Sequence, residues 1–83
     1  MPEPEKIRGS IRWSRDASNA MFGVYAGRNA TYRLTVEQAG PAWEWIVWPV
    51  GVPSQGQSGR TDTAIQATRT ANAAVRRVDR EAV

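Results

Sequence analysis

The sequence predicts an α+β domain, a four-stranded antiparallel β-β-β-β meander with one C-terminal α-helix packed on one face. Three observations predict it. Polar and apolar residues alternate with period two through the first half of the chain. Short turn-forming stretches separate those runs, which favours a meander of neighbouring strands. After residue 61 the apolar positions change to helical spacing. At 83 residues there is room for one domain, expected over 6–83 behind a short disordered tail at 1–5.

The first strand is read in "KIRGSIRWSR", where Ile7, Gly9, Ile11 and Trp13 alternate with Arg8, Ser10, Arg12 and Ser14. "DASN" is turn chemistry, "AMFGVYA" a second and shorter strand, and "GRN" the next turn. Whether these two strands are separate or one bent strand stays open at this level. In "ATYRLTVEQ", Tyr32, Leu34 and Val36 share one face, and Thr31, Arg33 and Thr35 the other. "AGPA" turns the chain into "AWEWIVWP", the fourth strand. "PVGVPSQGQSGR" carries glycine and proline without periodicity and reads as a loop, ordered or mobile. In the helix, Ala64, Thr68, Ala71, Val75, Val78 and Ala82 form one stripe, and Thr63 with Gln66 has capping-box spacing.

A helix faced with alanine and valine comes close to its sheet, so the sheet must supply the bulk of the core. Trp43, Trp45 and Val47 point one way along the fourth strand, whereas Glu44, Ile46 and Trp48 point the other. An unpaired carboxylate is costly to bury, so Glu44 marks its own face as the wet one. The core is therefore expected to hold Trp43, Trp45 and Val47 beside Ile11, Trp13, Tyr32, Leu34 and Val36. Ile46 and Trp48 are expected on the outer face with Arg8, Arg12 and Arg33, as a partner-binding set rich in the side chains that anchor interfaces.

Composition narrows the chemistry. Neither cysteine nor histidine is present, which removes disulfides, the usual zinc ligands and the usual neutral-pH base. The carboxylates Glu37, Glu44 and Asp62 are scattered. The expectation is a protein that is not an enzyme and takes no metal or cofactor. Basic residues outnumber acidic ones by 11 to 8, and ten of the eleven are arginine, which suits phosphates, carboxylates and aromatic faces. The opening "MPEPEK" lacks a signal peptide's basic start and apolar stretch, and no window approaches a membrane span, so a cytoplasmic protein is expected. "SQGQSGRT" departs from the Walker A loop at Ser54 and Arg60, leaving a weaker expectation of an anion at the helix start near Arg60 and Thr61. Arg69, Arg76 and Arg80 line one side of the helix as further phosphate-contact candidates.

At "SGRTDTAIQATRTANAAV", after a strand hairpin, the chain resembles the small β-β-β-α domains of the HicB-like antitoxins over residues 30–78. Those have a glycine-containing turn and a threonine cap leading into an alanine-rich helix. The Glu-Ala pair common in that helix's first turn is replaced by Thr63 and Ala64. The element order also resembles single-strand-binding modules such as PUR repeats and Whirly proteins. In size and simplicity the chain is similar to phage-encoded inhibitors of the anti-CRISPR kind. The resulting expectation is a small binding protein, most concretely a steric inhibitor of a nucleic-acid-handling complex, with a protein or nucleoprotein partner. Direct nucleic-acid binding, with Trp48 or Tyr25 stacking on a base, is the first alternative. A HicB-like antitoxin dimer is the second, and the chain is expected as monomer or homodimer.

Overall fold

Among the described residues the chain forms a meander of five strands followed by one helix. The computed structural model describes residues 11–52 and 55–81. The expected tail at 1–5, with Ile7, Arg8 and Gly9, lies outside the described residues. The elements are β1 (Ile11–Arg15), β2 (Met21–Ala26), β3 (Thr31–Ala39), β4 (Ala42–Pro49), β5 (Gln57–Thr61) and α1 (Ala64–Glu81). They form one antiparallel sheet in the order β1-β2-β3-β4-β5. The first two strands are separate and pair through Ile11–Tyr25 and Arg15–Met21.

Two of the hairpin turns have local causes. Between β1 and β2, Asp16 Oδ1 accepts from the Ser18 and Ala20 backbone N–H groups (2.9 and 3.1 Å) and from the Ser18 hydroxyl (2.8 Å). That side-chain cage holds the turn while Asn19 takes a φ of 70°. Between β3 and β4, Gly40 has a φ of 64° and Pro41 follows with its ring-fixed negative φ, the geometry of a type II′ hairpin turn.

The expectation of four strands is corrected to five, because Gln57–Thr61, expected within a loop, pairs antiparallel with β4. The reason lies in Gly59, which occupies an inward position opposite Trp45. A Cβ built there would lie 2.8 Å from the Trp45 ring, so the indole fills the space that an apolar β5 side chain would otherwise take. Without that side chain the strand carries no period-two signal.

The core lies between the sheet and α1, among Tyr25, Tyr32, Leu34, Val36, Trp45, Val47, Ala67, Ala71, Ala74 and Val75. Ile11, Trp13, Trp43 and Val78 pack against it half-buried, so the expected inner face is found as assigned. The helix is capped by Thr63, whose Oγ1 accepts from the Gln66 backbone N–H at 3.1 Å. Its buried side is turned from the expected stripe: Ala67 and Ala74 are buried, whereas Ala64 and Thr68 are half-buried. Alanine is spread around so much of α1 that the apolar spacing does not fix the helix rotation.

Candidate binding face

The helix packs over β3, β4 and β5 on one side of the sheet, and no described element covers the other side. Register arranges the outward side chains of that open face into rows across the strands. Arg12, Val24, Arg33 and Trp48 form one row. Ser14, Phe22, Thr35, Ile46 and Ser58 form the next. Glu37, Glu44 and Arg60 form the third. Phe22 and Val24 are 41% and 42% exposed, large values for apolar side chains at the middle of a sheet. A shallow depression of about 360 Å³ opens here, with Arg12, Phe22, Val24, Arg33 and Trp48 in its lining.

Of the expected partner set, Ile46, Trp48, Arg12 and Arg33 stand together on this face, and Arg8 is outside the described residues. Arg12 and Arg33 are exposed, while Ile46 and Trp48 are half-buried among their neighbours on the sheet. Phe22 and Val24 are additions that the sequence left unassigned. Every residue from Met21 to Ala26 is apolar or glycine, so alternation gave that strand no inside and outside; only its pairing with β1 and β3 does. Tyr25 is corrected from a stacking candidate to a core residue, 7% exposed, with its ring 6.0 Å from that of Tyr32.

The candidate anion contacts are not brought together. Arg60 points from β5 to the open face, in register with Glu44 and on the side of the sheet away from the helix. Thr61 lies on the inner side, where its hydroxyl donates to the Thr63 carbonyl at 2.8 Å. Arg69 and Arg80 are exposed on α1, and the Arg76 guanidinium sits 5.7 Å from the centre of the Tyr25 ring in a cation–π contact. Arg77, beside them, donates to Gln57 Oε1 at 2.7 Å and ties the helix to β5.

One further cluster joins the helix to the β2–β3 turn. Asp79 is 5% exposed and accepts from the backbone N–H groups of Arg28 (2.8 Å) and Asn29 (2.9 Å) and from the Tyr32 hydroxyl (3.2 Å). The Asn29 side-chain amide donates in return to the Asp79 carbonyl at 2.6 Å. Burial raises the carboxyl's pKa, but those donors together outweigh it and hold the group below its ordinary value. Tyr32 is pushed above its ordinary value by burial and by the adjacent Asp79 charge. All partners of this carboxylate belong to the fold, so its work is to fix the turn on the helix end.

Among the described residues, no group of three or more acidic, histidine or cysteine side chains is placed to hold a metal ion. No helix among them is long and apolar enough to cross a membrane. The open face can offer two things, aromatic and aliphatic surface to a flat apolar patch and the guanidinium forks of Arg12, Arg33 and Arg60 to phosphate or carboxylate. No family model, curated protein or solved structure matches the chain.

Proposed function

We propose that the chain is a non-enzymatic cytoplasmic binding protein that acts by occupying a surface of a nucleic-acid-handling complex, as a steric inhibitor of the phage anti-defence kind. The observation that carries this reading is the uncovered sheet face, on which Arg12, Val24, Arg33 and Trp48 form one row and Phe22 and Ile46 lie in the row beside it. A nucleoprotein surface presents apolar protein and anionic phosphate side by side, and this face complements both. Aromatic residues and arginine are the side chains most often found to dominate binding energy.

The test is affinity capture from cell extract, with and without nuclease. A protein partner should survive nuclease and be lost by Trp48→Ala, whose thermal midpoint should stay within a few degrees of the parent. Unfolding of Trp48→Ala would show that the fold itself depends on that indole and would end this reading. A second reading is direct nucleic-acid binding, favoured by Arg33 standing in register with Trp48 and diagonal to Phe22. Bases could stack on the two rings while the guanidinium holds phosphate. It predicts an oligonucleotide shift that weakens steeply as salt rises, and no shift at low salt would rule it out.

A further inference from the structure

The charges of the open face are separated along the strands. Arg33 and Glu37 are both outward residues of the central strand β3, with Thr35 between them. Glu37 stands directly opposite Glu44 on β4, a like-charged cross-strand pair that is unfavourable until a cation lies over it. Arg60 flanks Glu44 on its far side, on β5, leaving Glu37 a strand further from that charge. One end of the face is thus basic and the middle of the other end acidic, with Phe22 and Ile46 in the row between.

We infer that a second copy of this chain covers the open face, related to the first by a twofold axis lying in the interface and crossing the strands along the Ser14–Phe22–Thr35–Ile46–Ser58 row. That operation lays the Arg33 row of one copy over the Glu37 row of the other. Arg33 then meets Glu37 of the second copy twice over, and Trp48, whose indole N–H is a donor, meets Glu44 of the second copy. Phe22 and Ile46 meet their own counterparts at the centre, as a self-complementary contact requires. An axis parallel to the strands would instead set Arg33 on Arg33 and Glu37 on Glu37, and like charges oppose it. Sheets stacked face to face cross at about 30°, which separates the corners but keeps β3 over β3, so the central charge pairs survive the twist.

The area is sufficient for a weak dimer. Five strands spaced about 4.8 Å apart, carrying three outward rows, present roughly 500–600 Å² per copy, near the lower limit of about 1,000 Å² in total for a specific interface. The inference rests on the proposed use of this face and adds what occupies it before a partner arrives. The second copy and the partner compete for Trp48 and Phe22, so release of the dimer regulates access.

Sedimentation equilibrium of the full chain across the micromolar range tests it. The parent should dimerise with a micromolar dissociation constant that rises with salt. Arg33→Glu and Glu37→Arg should each weaken the dimer about tenfold or more, because each sets like charges together at two places. An equimolar mixture of the two variants should dimerise again, since every contact in the mixed pair is once more between opposite charges. If either reversal fails to fold, Glu37→Gln serves in its place and should weaken the dimer several-fold without repulsion. A parent that stays monomeric, a dimer indifferent to all three substitutions, or a mixture that does not recover would overturn the inference. A monomeric parent that still captures a partner through Trp48 overturns the dimer and leaves the proposed function standing. A charge-sensitive dimer that captures no partner does the reverse.

Discussion

Asp79 shows how much a single side chain decides here. In sequence it sits among Arg76, Arg77, Arg80 and Glu81 and reads as part of a solvated helix end. In the fold it is the buried acceptor for the backbone N–H groups of Arg28 and Asn29 in the β2–β3 turn. Gly27 accommodates it, since a Cβ there would come within 2.6 Å of the Asp79 carboxyl. Asp79→Asn keeps the shape but replaces one acceptor oxygen with a donor facing donors, and should cost about 2–3 kcal/mol. The folded carboxyl releases its proton more readily than the unfolded one. Its contribution is therefore complete above the ordinary value of 3.8 and is lost as pH falls through the lower folded value. Urea unfolding at a series of acidic pH values should show that loss in the parent and a flatter limb in Asp79→Asn. Asn72 has the opposite character. Its Oδ1 is buried with no hydrogen-bond partner among the described residues, so Asn72→Ala should raise stability by about 0.5–1 kcal/mol, read from the same unfolding curves.

At the scale of elements, what the sequence disclosed follows from where large side chains lie. Strands β1, β3 and β4 put bulky residues on the inner face in strict alternation, and their faces are legible without coordinates. Strand β2 is apolar on both sides and β5 is apolar on neither, so pattern alone assigns β2 no face and takes β5 for a loop. Both ambiguities are settled by partners across the sheet. Trp13 lies against Gly23 and Trp45 against Gly59, each tryptophan filling the gap at its register neighbour. The open face was half legible for the same reason: Glu44 revealed the side on which Ile46 and Trp48 lie, and nothing comparable marked Phe22. Gly59→Ala tests the pairing. Its Cβ would press 2.8 Å from the Trp45 ring, and the expected cost is about 1–3 kcal/mol. A double-mutant cycle with Trp45→Phe, which withdraws the larger ring, should show strong coupling between the two sites. Independent, additive effects would mean the strand is held by its ladder rather than by the indole.

Across the whole molecule, one helix serves a sheet wider than itself. It lies over β3, β4 and β5, so Tyr32, Leu34, Val36 and Val47 are sealed while Ile11 and Trp13 stay half-buried at the β1 side. The inner layer therefore holds the stability, and the outer layer, with Phe22 and Val24 exposed, is available for contact without being needed for folding. Two consequences can be measured. Trp45→Ala should cost about 3–5 kcal/mol, a large part of what a domain of this size has, and leave the chain poorly folded at ambient temperature. Native-state hydrogen exchange should be graded across the sheet. The amides of β3 and β4 between Tyr32 and Val47 should exchange only through global unfolding, while those of β1 open locally and faster, because fewer buried contacts hold that edge. Addition of a ligand that covers the open face should slow β1 and β2 most, since their outward side chains Arg12, Phe22 and Val24 belong to the contact and the helix does not already protect them. Uniform protection of all five strands in the free monomer would contradict this division, because it would require β1 to be as firmly held as the strands beneath the helix.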